Sequence, residues 1–239
     1  MRDEDSLREL GLLEVARWFG GGQGAARASQ PPAITPGSIV AGSIAAAGWE
    51  ELRTLVADCR ACGLCKQRKQ AVLGVGAQAG PWLFVGEAPG ADEDEQGEPF
   101  VGPAGKLLDS MLAAIGCARG EDTYIANVVK CRPPGNRNPT PEEAGACAAF
   151  LDRQVDLVAP KIIVALGKVA AARLLGTEAS MASLRGRVHR YRGIPLVATY
   201  HPAYLLRSPA EKAKAWEDLL FARRTLRAAA AGDSLMIGP

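Results

Sequence analysis

Residues 82–90 read Trp82-Leu83-Phe84-Val85-Gly86-Glu87-Ala88-Pro89-Gly90: four large apolar side chains that stop at a turn rich in glycine and proline. A run this short and this free of polar residues suits a strand buried on both faces, as in a parallel sheet. The same arrangement recurs along the chain. An apolar run at 124–129 follows an amphipathic stretch at 104–115, the run at 161–166 follows a helical pattern at 141–158, and the run at 194–200 follows a helix at 168–175. Short apolar strands alternating with helices predict an α/β fold, a three-layer α/β/α sandwich around a central, mainly parallel four-stranded sheet. Ser208 as N-cap, Pro209 at the first helical position and Glu211 completing a capping box predict where the last long helix starts.

The chain has 239 residues, 48% of them hydrophobic, which suffices for one globular domain of roughly 180–190 residues plus an appendage. Residues 5–19 place Leu7, Leu10, Leu13, Val15 and Phe19 at helical spacing, and 20–48 are rich in Gly, Ala, Ser and Pro with few large hydrophobes. We expect a helix and flexible linker over 1–48, the domain proper over 49–230 and a tail at 231–239. No stretch approaches the ~20 apolar residues that cross a bilayer. Asp3, Glu4, Asp5, Glu9 and Glu14 do not suit a secretory or organellar leader, so a cytoplasmic protein is the expectation. The net charge of +2 is too small to mark a nucleic-acid binder, but 183–192 carries Arg185, Arg187, Arg190 and Arg192 with no acid. That segment reads either as a solvated edge hairpin or as a phosphate-facing patch.

Six cysteines in a reducing compartment argue against a disulfide framework. Cys59-Arg-Ala-Cys62-Gly-Leu-Cys65 offers two overlapping C-x-x-C pairs, whose short turns point both thiolates one way. Cys131 and Cys147 follow far downstream, around a loop holding Pro133, Pro134, Pro139 and Pro141. Four thiolates suit tetrahedral zinc or a [4Fe–4S] cluster. The wide second spacing favours the larger cluster, which would also pin the loop at both ends.

The polar motifs fall at the carboxyl ends of predicted strands: 86–90, 127–132 and 201–207. In open α/β sheets that edge binds ligands. Gly86-Glu87-Ala88-Pro89-Gly90 with Asp92-Glu93-Asp94 and the 97–105 loop, Asn127-Val-Val-Lys-Cys131-Arg-Pro-Pro, and His201-Pro-Ala-Tyr-Leu-Leu-Arg207 together resemble the iron–sulfur uracil-DNA glycosylases, family 4 of the uracil-DNA glycosylase superfamily. The resemblance runs from about Cys59 to the final helix.

It implies a DNA repair enzyme that flips uracil out of single- or double-stranded DNA and hydrolyses its N-glycosidic bond, leaving an abasic site. It further implies a monomer associated with the nucleoid only through DNA. Carried over by position, the resemblance assigns a [4Fe–4S] cluster to Cys59, Cys62, Cys131 and Cys147, leaving Cys65 and Cys117 spare. Gly86, Glu87 and Ala88 would line the base pocket and Phe100 would stack on the base. Asn127 would read the uracil edge, its amide accepting from N3–H and donating to O4. His201 would donate to O2. Ala88 stands where other branches carry a water-activating Asp, so Glu93, with Glu87 beside it, is expected to position the water. Leu205 would wedge into the base stack and Arg207 meet phosphate or the minor groove, with Arg185, Arg187, Lys130, Arg132 and Arg137 on phosphates. The 131–139 segment has no histidine, which predicts hydrolytic turnover rather than a trapped adduct. The rival readings are a catalytically inactive iron–sulfur DNA-binding protein in a repair or polymerase complex, and a ferredoxin-like electron carrier.

Overall fold

The computed structural model describes residues 43–231. The predicted helix at 5–19, most of the predicted linker and the tail beyond 231 lie outside the described residues. The packed chain reaches back past Trp49, since Ile44 and Ala47 are buried and Arg153 Nε donates to Ala47 O over 2.7 Å.

In order, the elements are α1 (Trp49–Asp58), β1 (Val75–Gly76), β2 (Trp82–Gly86), α2 (Ala91–Gln96), α3 (Pro103–Ala114), β3 (Thr123–Asn127), α4 (Pro141–Val158), β4 (Ile162–Leu166), α5 (Lys168–Leu175), α6 (Met181–Leu184), β5 (His189–Tyr191), β6 (Ile194–Thr199), α7 (Pro202–Arg207) and α8 (Lys212–Ala230). One sheet runs β1-β3-β2-β4-β6-β5. Its four inner strands are parallel, and an antiparallel strand closes each edge. The sheet therefore has six strands, not four. The edge strands escaped the sequence because β1 is two residues long and β5 is polar, so neither makes an apolar run.

Alternation along the inner strands splits the core into two layers. Leu83 and Val85 join Leu52 of α1, Val155 of α4 and Ala171 of α5 on one face. Trp82 and Phe84 meet Leu108 and Leu112 of α3 and Leu219 of α8 on the other. The predicted α/β/α sandwich follows directly from this period of two.

The hairpin expected within 183–192 forms at the sheet edge: after α6, β5 and β6 pair around Arg192 (φ 51) and Gly193 (φ 84), both left-handed as a type I′ hairpin turn demands. The start of the last helix resolves differently. Ser208 makes no side-chain cap; Pro209–Glu211 forms a 3₁₀ turn and α8 begins at Lys212. The predicted capping box is absent: the Ser208 side chain accepts no backbone N–H, and the Glu211 carboxylate pairs with Lys214 instead.

A capping box does form at α4. Thr140 Oγ1 accepts from Glu143 N over 3.3 Å, and Glu143 Oε2 accepts from Thr140 N over 2.9 Å. Thr140→Ala should lower unfolding stability by about 1 kcal/mol, read from the urea midpoint.

Candidate active site and cysteine cage

A cleft of about 620 Å³ opens at the carboxyl ends of the parallel strands. It brings together Glu87, Ala88, Glu93, Phe100, Asn127, His201 and Arg207, all expected there, and adds Pro133, Asn136 and Asn138 from the proline-rich loop and Tyr200 and Tyr204 from the far side.

Its floor is set by strand register. Gly86 and Asn127 are direct partners in the β2–β3 ladder. A Cβ on Gly86 would sit 2.4 Å from Asn127 Oδ1 and 2.5 Å from the Phe100 ring, so only glycine lets both side chains close over that point. Asn127 is buried, and its Oδ1 has no hydrogen-bond partner among the described residues. A buried acceptor left unpaired costs about 1–3 kcal/mol, which a bound N–H donor would return.

Phe100 is held in an uncommon backbone state (φ 57), a strain of about 1–3 kcal/mol that its neighbours must sustain. Arg119 does this from one side, donating to Pro99 O and Phe100 O at 2.8 Å each. Glu93 does it from the other: Oε1 accepts from Val101 N (3.0 Å) and Gly102 N (3.1 Å), Oε2 from Gly90 N (3.0 Å). Glu93 thus commits three of about four acceptor positions to backbone amides. Glu87 differs. Its carboxylate has no side-chain partner among the described residues, and burial raises its pKa above the ordinary value.

His201 caps α7: its Nδ1 accepts from Ala203 N over 3.1 Å, which leaves the proton on Nε2. Its ring lies 5.5 Å from that of Phe100. Burial first, then the Arg207 charge, depress its pKa to about 4, against a smaller opposing pull from Glu93. The imidazole is therefore a neutral Nε2–H donor across the physiological range.

Behind Asn127, five cysteines surround one small cavity: Cys59, Cys62, Cys65, Cys131 and Cys147. Cys131 lies within electrostatic reach of Cys62 and Cys59, and Cys147 within reach of Cys131 and Cys59. Burial raises both thiols, Cys147 to about 12, against Arg68 at Cys131 and Lys130 at Cys147. Arg68 Nη1 donates to Cys131 Sγ over 2.8 Å while Nη2 donates to Cys59 O over 3.2 Å. Among the described residues no three His, Cys, Asp or Glu side chains could hold a single metal ion. Thiols converging on a cavity, with an arginine N–H and a backbone N–H donated to two of the sulfurs, make a donor set of the kind that thiolate-bound centres use.

A sequence model described as the uracil DNA glycosylase superfamily matches residues 73–220. The type-4 uracil-DNA glycosylase of Archaeoglobus fulgidus is 47% identical over 162 residues, 64% of this chain and 81% of the relative. That of Pyrobaculum aerophilum is 43% identical over 178 residues, 71% of this chain and 90% of the relative. A third, from Thermotoga maritima, is 46% identical over 165 residues, 66% of this chain and 85% of the relative. The chain belongs to the uracil DNA glycosylase superfamily.

Within that superfamily frame, several residues expected to face DNA are placed otherwise. Leu205 is 1% exposed and packs inward, whereas its neighbours Leu206 (43%) and Tyr204 (39%) are exposed. One helical step of about 100° separates them, and the sequence shows only two adjacent leucines. Arg185 is committed to the fold: Nε donates to the buried Asp218 Oδ2 over 2.6 Å and the guanidinium covers the Tyr200 ring at 4.8 Å. Lys130 is 1% exposed and cannot reach a phosphate. Arg137 stays exposed on the cleft wall while pairing bidentately with Glu143, and Arg132 donates to Asn136 Oδ1 over 2.7 Å. Arg187 and Arg207 are exposed. Three contributors lay beyond sequence reasoning. Arg119 and Gly105 shape the Phe100 loop, a Cβ on Gly105 falling 1.7 Å from Phe100 O. Gly167 (φ 89) leaves room for the His201 side chain, 2.8 Å from where its Cβ would lie.

The depressed His201 pKa makes a linkage prediction. Unfolded chain takes up this proton near pH 6.5, folded protein only near pH 4, so the unfolded state gains protons first as pH falls. Stability should be fully present above about pH 6.5 and be lost towards pH 4. His201→Asn, which keeps a cap acceptor, should show a shallower decline in urea midpoint over that window.

Proposed function

We propose that this protein is a DNA repair glycosylase that flips uracil from DNA, hydrolyses its N-glycosidic bond and carries a [4Fe–4S] cluster on Cys59, Cys62, Cys131 and Cys147. The observation that carries the reading is the buried Asn127 Oδ1 at the cleft floor, unpaired among the described residues. It is an acceptor waiting for a donor, and uracil N3–H is one. Cytosine presents a lone pair at N3 and is refused at the same atom.

The other groups act around that contact. A base in duplex cannot reach a pocket at a sheet edge, so the nucleotide is extruded at a cost of a few kcal/mol. Phe100 offers its ring to the extruded base. The neutral His201 donates through Nε2–H to O2, where negative charge gathers as the bond to the sugar breaks. The expectation gave the water to Glu93, but three backbone amides already hold that carboxylate. Glu87, unpartnered among the described residues and partly desolvated, is the carboxylate assigned to the water and to the cationic sugar centre. Glu93 keeps the Phe100 loop in place. Leu206 and Tyr204 replace Leu205 as the apolar groups offered to the stack, with Arg207 and Arg187 beside the backbone.

Arg68, Lys130 and four converging thiols support the cluster, whose resident contribution would be to tie 59–62 to the 131–147 loop. Cys65 lines the same cavity as the spare thiol. No described helix is long and apolar enough to span a membrane. A monomer acting on single- or double-stranded DNA in the cytoplasm completes the proposal.

Oligonucleotides carrying one deoxyuridine, treated with protein and then alkali, should break at that position. Strands carrying cytosine should remain whole. His201→Ala should slow single turnover about 10²–10³-fold, and Asn127→Ala should abolish discrimination. Scission absent from a folded, loaded protein would overturn the activity. The rate should rise from acid with a midpoint above the ordinary Glu value of 4.5, set by the raised Glu87, and Glu87→Gln should remove that limb.

A further inference from the structure

We propose that Lys130 is a positioning residue for uracil recognition: a buried ammonium that fixes the Asn127 peptide and is itself fixed by the cysteine cage. The inference rests on the cluster assigned above.

Lys130 has 1% of its surface exposed, which excludes the phosphate contact its charge invites. Its Nζ donates to Asn127 O over 2.7 Å and to Gln154 Oε1. Gln154, wholly buried, is fixed in turn, its Nε2 donating to Leu73 O (2.8 Å) and Tyr124 Oη (3.0 Å). The Lys130 main chain is held on both sides, N–H on Cys147 Sγ at 3.3 Å and C=O by Val72 N at 2.8 Å. One continuous set of contacts thus runs from the cysteines to the peptide that carries the base-reading amide.

A buried ammonium needs a counter-charge, and neither hydrogen-bond partner of Nζ is a carboxylate. The anions that a loaded centre would bring to this segment are the thiolates of Cys147, which accepts from the Lys130 N–H over 3.3 Å, and of the adjacent Cys131. Four thiolates around a loaded centre place net negative charge there. Loading the cage would fix Cys147 Sγ, on which the Lys130 main-chain N–H rests, and Lys130 Nζ in turn holds Asn127 O. With that carbonyl fixed, the Asn127 side chain stays aimed across Gly86. Base recognition and cage loading share one residue.

The test compares wild type, Lys130→Met and Gln154→Met as loaded holoproteins, with iron and sulfide counted in each. Lys130→Met should move the cluster reduction potential to more negative values, because a nearby positive charge that stabilises the reduced form is gone. Its single-turnover excision rate should fall about tenfold or more, with affinity for deoxyuridine DNA unchanged within about threefold. Gln154→Met keeps the charge and loosens the ammonium, so the rate should fall while the potential holds. A loaded Lys130→Met with wild-type potential and rate overturns the inference. Should Lys130→Met not accumulate folded, a loaded Gln154→Met with wild-type rate overturns it equally. Wild type that excises uracil but contains no iron overturns the cluster and this coupling together, leaving the glycosylase reading intact.

Discussion

The pairing of Gly86 with Asn127 across two parallel strands is the contact on which the cleft depends. Parallel register brings the two residues level at the carboxyl end of the sheet. The missing side chain at Gly86 then lets the Asn127 amide and the Phe100 ring share the same space. Neither group could approach over an alanine without moving by several tenths of an ångström. The fold builds outwards from there. Arg119, Gly105 and Glu93 hold Phe100 in a backbone state it would not choose, and Gly167 makes room for His201 opposite. Ordering these groups before a base arrives is what preorganisation means in a site of this kind.

The second organising element is the loop between Cys131 and Cys147. Its proline-rich chain contributes Pro133, Asn136, Arg137 and Asn138 to one wall of the cleft, while both of its ends enter the cysteine cage. The Thr140–Glu143 capping box and the Arg137–Glu143 pair stiffen it midway. A centre bound at the cage would therefore act on base recognition through the geometry of this loop. Lys130 makes this relation concrete, standing between the sulfurs and the Asn127 carbonyl.

The four inner strands and the helices between them were legible in the sequence because burial on both faces leaves uninterrupted apolar runs. The convergence of 86–90, 127–132 and 201–207 followed from topology alone. What sequence could not supply was side-chain direction. Leu205 and Leu206 are chemically identical, and only the packing of α7 buries one and exposes the other. Arg185 and Lys130 read as cations for DNA until Asp218 and Gln154 are seen holding them. Glu93 read as a free carboxylate because its backbone partners, Val101 and Gly102, lie eight and nine residues away in a loop whose path has no periodic signature.

In the proposed complex one acceptor atom, Asn127 Oδ1, meets one donor, uracil N3–H. Competitive inhibition of excision by free uracil and by 3-methyluracil isolates that contact, since the methyl group removes the donor and little else. Uracil should inhibit, and 3-methyluracil should be at least about a hundredfold weaker, as expected when a buried polar group is left unpaired and crowded. Equal inhibition by the two would contradict the assignment of Asn127 as the reader of the base.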